Sequence, residues 1–270
     1  MTSHKSMKMI FESFFKEIKK SLKSRDFWIF SAKINTYKRY RRSSIGPWWL
    51  TINLLIFVLS VGLIWSILWK INLKVYLPFF LFGMVFWEIV SSTVNKSISV
   101  FKLNEQLIKT VNVPKLNFNF QVSSIILINF LHNCLIIIPL GILLNFFNSS
   151  FAIFMLIPTL ILFSINVFFL SIIISVLCVK FKDLDMILEH VMRIIFLITP
   201  IIWMPEILPE KSLFLKINFL YPYVEIFRLP LIGNFPNLSQ YISVICVTII
   251  LAVISIIVYE KNKNKLVFWL

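Results

Sequence analysis

Three observations predict an all-α integral membrane protein: long apolar blocks, a composition poor in polar groups, and basic segments that alternate between the blocks. The first block, Trp48 to Trp69, is 22 residues without a charge. At 1.5 Å rise it makes about 33 Å of helix, enough to cross the hydrocarbon of a bilayer. Blocks at Val75–Val94, Val122–Phe147, Phe151–Val179, Ile187–Trp203 and Tyr241–Tyr259 bring the expected transmembrane helices to six. A bilayer interior cannot hydrogen-bond exposed peptide groups, so such blocks must span as helices. Hydrophobic residues are 59% of the chain and charged residues 14%, too little polar surface for a soluble globule of 270 residues.

The basic residues set the expected orientation. Of 27 Lys and Arg, 22 lie in residues 1–47, 95–121, 180–193 and beyond Tyr259, and 5 in the alternate segments. The positive-inside rule then places both termini in the cytoplasm of a multi-pass protein of the bacterial inner membrane. The net charge of +15 is thus explained by topology, and no nucleic-acid partner is expected. Residues 1–47 show no short apolar run before a small-residue cleavage site, so they read as a cytoplasmic interface segment ahead of a membrane domain at 48–270. Cys134, Cys178 and Cys246 fall inside apolar blocks without metal-ligand spacing and read as small core residues.

Between the blocks, the polar segments carry pattern of their own. In residues 7–22, Met7, Ile10, Phe11, Phe14, Phe15, Ile18 and Leu22 share one helical face and Lys8, Lys16, Lys19 and Lys20 the other. That is the pattern of a helix lying among headgroups and drawn to anionic lipid. A second aromatic and basic stretch, Asp26 to Arg42, closes on Lys38-Arg39-Tyr40-Arg41-Arg42 before Pro47. In the 95–121 loop, Ile98, Phe101, Leu107, Ile108 and Val111 recur at helical spacing until Val113-Pro114, and the turn Lys180–Asp185 joins the next pair of blocks. Residues 204–240 are too apolar for a solvated loop, yet Pro205, Pro209, Pro222, Pro230 and Pro236 cut them too short to cross. A re-entrant segment on the outer side fits, as does a pair of helices resting on the outer leaflet.

The chain carries no sign of chemistry of its own. Its five glycines cannot supply G-x-x-x-x-G-K-[ST], so nothing here cradles ATP phosphates. Glu88 is the only acid in the first four blocks; a buried carboxylate is costly unless it faces water, which points to a cavity lining. His132, beside Asn129 and Asn133, could serve an integral membrane acyltransferase, but helix–helix hydrogen bonding is the plainer role. Trp48, Trp49, Trp65 and Trp69 bracket the first block as interface anchors. Trp87, Trp203, Tyr221 and Tyr223 lie near the blocks or the proline-cut segment, where a pore could run.

These segments also carry a resemblance. Tyr40-Arg41-Arg42-Ser43-Ser44-Ile45-Gly46-Pro47-Trp48 looks like the R-Y-R-R-S-x-L-G-P-L-W lead-in of the permease subunits of ABC-type polysaccharide exporters. Lys182-Asp183-Leu184, Thr199-Pro200-Ile201-Ile202-Trp203, Glu225-Ile226-Phe227-Arg228-Leu229-Pro230-Leu231-Ile232-Gly233 and the terminal Phe268-Trp269-Leu270 are similar to that family's R-D-L, T-P-I-I-W, E-x-x-R-x-P-L-L-G and Y-W-L motifs, in order. The resemblance implies a homodimeric permease working with two copies of a cytoplasmic ABC ATPase. ATP and Mg would bind that partner and no cofactor this chain, and the cargo would be a lipid-linked polysaccharide such as an O-antigen precursor. An exporter of drugs or small lipids is the alternative within this architecture. The two cytoplasmic segments that join blocks are the expected ATPase contacts, through Phe101, Leu107, Ile108, Lys182 and Asp183. Trp87, Glu88, Pro200, Trp203, Tyr221, Glu225 and Arg228 are the expected pore or gate residues, with Pro200 kinking the fifth helix near Leu197–Thr199 and Glu225 pairing with Arg228.

Overall fold

The structure, a computed structural model, describes residues 2–38, 41–143, 151–207, 215 and 217–270, and every regular element among them is helical. Tyr40, the turn at 148–150, and residues 208–214 and 216 of the proline-cut segment lie outside the described residues. In chain order the helices are α1 (Thr2–Lys23), α2 (Arg25–Lys38), α3 (Trp48–Leu68), α4 (Leu73–Leu103), α5 (Glu105–Thr110) and α6 (Leu116–Leu143). After a 3-10 turn at Ala152–Met155 come α7 (Leu156–Lys180), α8 (Leu184–Ile198), α9 (Tyr221–Leu231), α10 (Leu238–Asn262) and α11 (Leu266–Trp269).

Five of these, α3, α4, α6, α7 with its lead-in turn, and α10, are long and apolar enough to cross a membrane. The fifth apolar block is different. It is helical only as α8, whose 15 residues cover about 22 Å against the roughly 30 Å of a bilayer core. Its last turn stops where Thr199 swings to ψ 136, because a residue before proline is pushed out of the helical region. Pro200 therefore ends the helix, where a kink was expected. Glu189, His190 and Arg193 give α8 a charged side, and none of its residues is buried.

The central post is α4, which packs against α3, α6 and α7 and buries Tyr76, Phe80, Phe82 and Phe86 completely or nearly so. Side-chain amides and hydroxyls join the helices around it. Asn119 donates to Ser171 and Ser175 across α6 and α7 at 3.2 and 3.0 Å. Asn166 on α7 donates to Thr248 on α10 at 2.8 Å and accepts from Tyr223 on α9 at 3.1 Å. Without water as a competitor, such pairs fix which helix faces meet. Of the cysteines, Cys178 alone is buried; Cys134 is half-buried and Cys246 exposed, so the expectation of three core thiols is met once.

The two ends of α4 sort the rest of the chain. Near its C-terminal end lie α5, the start of α6, the Lys180–Asp185 turn, the end of α10, and both terminal helices α1 and α11. Near its N-terminal end lie the turn after α8, the whole of α9, and the starts of α7 and α10. Helix α1 is docked by Phe14, 1% exposed, which meets the Tyr259 ring edge-on at 5.8 Å. Ile10, Phe11 and Ile18 pack beside it, whereas Phe15 and Leu22 remain exposed at the edge of the same face.

Candidate functional site

The turn that follows α8 is held by its carbonyls. A helix ends with four unpaired C=O groups, which need donors from elsewhere. Here Trp203 Nε1 donates to Leu197 O at 2.9 Å and Asn218 Nδ2 to Ile198 O at 3.2 Å. Beyond the helix, Arg228 Nη2 donates to Pro200 O at 2.7 Å and the Tyr76 hydroxyl to Ile202 O at 2.6 Å. Side chains from α4, from α9 and from the residues before α9 thus converge on one short stretch of backbone.

Arg228 is the centre of this clamp and is 1% exposed. Its Nη1 donates to Glu225 Oε1 at 3.1 Å, and its guanidinium lies over the Phe79 ring, 3.6 Å from the centroid. The planar fork of arginine suits this triple task, which a lysine ammonium would not perform. Gly83 makes the room: a Cβ there would sit 3.0 Å from Arg228 Nη2, 3.2 Å from Ile201 Cγ2 and 3.3 Å from Ile201 O. Helix α9 buries eight of its eleven residues, among them both members of the ion pair.

Of the expected gate residues, Pro200, Glu225 and Arg228 are brought into direct contact, and Trp203 belongs to the same turn. Tyr221 is half-buried at the start of α9. Trp87 stands on α8 through Phe196, ring centroids 5.0 Å apart. Glu88 is half-buried and accepts from Ser92 on its own helix at 2.8 Å. The sequence reading missed Tyr76, Asn218 and Gly83. An intramembrane tyrosine and a mid-block glycine were visible signals, but nothing in the sequence shows what they face.

At the other end the two expected docking segments are tied together. Lys102, at the end of α4, pairs with Asp185, at the start of α8. Asn104 closes α4 through a 2.7 Å bond to Val100 O, and α5 then turns aside. Phe101 and Ile108 are buried, the former edge-on to Phe118 at 6.2 Å, so they fasten this corner to the bundle. Leu107 is half-buried; Gln106, Lys109, Phe181, Lys182 and Asp183 face outward. Helix α11 closes the corner, Trp269 lying beneath the Lys180 ammonium at 5.8 Å and Phe268 fully outward at 86% exposure.

No family model matches the chain. Over 233 residues it is 28% identical to the O-antigen export system permease protein RfbA of Klebsiella pneumoniae, covering 84% of this chain and 88% of that protein. A second RfbA of the same organism is 25% identical over 231 residues with the same coverage. Along most of its length the chain is thus similar to O-antigen export system permeases.

The lead-in motif is a built turn. Ser43 Oγ accepts from the amides of Ile45 and Gly46 at 3.3 and 3.2 Å. Gly46 takes φ 62, which side-chain-bearing residues avoid, and Pro47 caps α3 with φ −62. Arg41, Arg42 and Trp48 are exposed around it. His132 bonds within its own helix, Nδ1 to Ile128 O at 2.8 Å, while its carbonyl accepts from Thr51 of α3 at 3.1 Å. That is a helix-packing role for this position and gives an acyltransferase reading no support.

Proposed function

We propose that this chain is the permease subunit of an ATP-driven exporter that moves lipid-linked polysaccharide, an O-antigen precursor above all, across the bacterial inner membrane. The observation that carries the reading is the clamp. Two motifs shared with the exporter family, T-P-I-I-W and E-x-x-R, meet there through Arg228 and Pro200. The similarity to the Klebsiella O-antigen permeases supports the same cargo class.

In this reading the membrane is crossed six times. The path from Asp185, beside Lys102, to Ile202, beside Tyr76, runs from one end of α4 to the other, so α8 and its turn supply the crossing that α8 alone is too short to make. Helix α9 is then the return limb of a re-entrant segment at the outer face, and the basic end with both termini is cytoplasmic. The membrane domain is residues 48–270, with residues 1–47 as its interface segment. Two copies of the chain form the conduit, with Trp87, Glu88, Trp203 and Tyr221 along it. The bared α8 supports pairing with a second copy, because Glu189, His190 and Arg193 are poorly suited to lipid. Two copies of an ABC ATPase, with ATP and Mg in their own sites, dock on the corner tied by Lys102 and Asp185. The outward residues Gln106, Lys109, Lys182 and Asp183 make the contact, while Phe101, Leu107 and Ile108 hold α5 in place.

The test is reconstitution. The chain co-expressed with its ATPase in proteoliposomes should carry a lipid-linked glycan to the opposite leaflet only with ATP, and His132→Ala should not change the rate. Cysteines at Gln106 and Lys182 should cross-link to the ATPase. Glycan movement without the ATPase, or acyl transfer abolished by His132→Ala, would overturn the proposal.

A further inference from the structure

At the basic end a polar cleft of about 600 Å³ opens between α1, residues 112–115 and the end of α10. Four lysines line it, Lys16, Lys20, Lys115 and Lys263, against a single acid, Glu17. That acid is already engaged, since Glu17 Oε1 accepts from the Tyr259 hydroxyl and from the Lys115 amide. Lys263 is also engaged, by Glu260 at 2.8 Å and by Ser13 at 2.6 Å.

Lys16 and Lys20 make no ion pair among the described residues, and they stand four apart on the same face of α1. Like charges at that spacing weaken a helix, so an anion between them would relieve it. Burial holds the Lys115 ammonium below the ordinary lysine range, Glu17 drawing it back up and Lys263 pressing it further down. Behind the cleft wall, Asn117 Oδ1 accepts from the Ser24 hydroxyl at 3.0 Å. The Lys115 ammonium gives one donor to the Lys263 carbonyl; its remaining donors, with those of Lys16 and Lys20, surround a cleft large enough for a phosphate or diphosphate and ask for an anion with several acceptor oxygens.

The same helix indicates where that anion resides. Phe15, next to Lys16, is 59% exposed and Leu22, two residues from Lys20, is 50% exposed. Apolar side chains left bare beside lysines are the arrangement of a helix at the boundary between acyl chains and headgroups. The cleft therefore opens at headgroup level. We propose that it binds the phosphomonoester or diphosphate headgroup of a lipid in the leaflet that α1 lies on, independently of which cargo the protein carries.

The full-length chain in mild detergent is titrated with phosphatidic acid or phosphatidylcholine, and bound lipid is read by native mass spectrometry. Phosphatidic acid should be retained in clear preference to phosphatidylcholine. Lys16→Gln/Lys20→Gln should lower its retention about ten-fold or more, at roughly five-fold per lysine beside an anionic surface. Lys115→Gln should act in the same direction. Lys8→Gln/Lys19→Gln, which removes equal charge from α1 away from the cleft, should change retention less than about two-fold. Equal loss in both double variants would reduce the effect to diffuse attraction along α1 and overturn the site. Equal retention of phosphatidylcholine would do the same. Displacement by inorganic diphosphate, with no lipid retained by the wild-type chain, would assign the cleft to a soluble phosphate compound and overturn the headgroup assignment.

Discussion

At the start of α4, Tyr76 and Arg228 direct their donors at backbone carbonyls in a place sealed from solvent. At its far end, Lys102 and Lys109 pair with Asp185 and Glu105 while their side chains stay 39% and 42% exposed. The two ends thus use the same kind of bond under opposite conditions. Where water is excluded, each missing donor leaves a stranded group and the backbone must shift. Where water is present, solvent replaces the lost partner and little moves.

Substitutions at the two ends should therefore differ in size. The largest effect belongs to Arg228→Ala, which strands the Glu225 carboxylate and releases Pro200. Loss of one member of a buried pair costs about 3–5 kcal/mol. Export should fall, or the membrane should leak ions, while insertion stays normal; wild-type export without leak would make the clamp passive. The double reversal Glu225→Arg/Arg228→Glu restores the charges but turns a carboxylate toward the Pro200 carbonyl, so its recovery should be partial at best.

Gly83→Ala comes next. Its Cβ would press on Arg228 Nη2 and on the Ile201 backbone, an overpacking cost of about 1–3 kcal/mol, read as a lower unfolding midpoint in detergent. Tyr76→Phe leaves the ring stack and removes only the bond to Ile202, worth about 1 kcal/mol by the same measurement. The smallest effect is Lys102→Ala, below about 1 kcal/mol and fading as salt is raised. If Lys102→Ala proves as damaging as Arg228→Ala to folding, the contrast between dry and wet ends is wrong.

Five of the apolar blocks fall on long helices, because a run without charge has few alternatives in lipid, but α4 continues nine residues past Val94 and α6 begins six before Val122. The fifth block misled for a local reason. Its hydrophobicity continues through Ile201 and Ile202, but Pro200 dictates the backbone of Thr199 and outweighs composition. The pairing of Glu225 with Arg228 was legible from their spacing, since residues three apart share a helix face. The partners that complete the clamp were not, for Pro200 lies 28 residues from Arg228 along the chain and offers only a carbonyl. Glu17 shows the same limit. An acid among the lysines of α1 reads as surface charge, and only the packing of α1 on α10 turns it toward Tyr259.

The length of α4 has a mechanical consequence. One unbroken helix carries Phe79 and Gly83, against which Arg228 rests, and also Lys102, which holds the opposite corner. From Phe79 to Lys102 is about 34 Å along the helix axis at 1.5 Å per residue. A pivot of roughly 5° at the Lys102 end would sweep the other end sideways by about 3 Å over that length, comparable to a whole hydrogen bond. Pro78, which removes a backbone bond next to Phe79, sets the softest point of the rod between Tyr76 and the Phe79 and Gly83 contacts of the clamp. The helix is thus built as a lever whose stiff arm begins where the carbonyl-held turn leans on it.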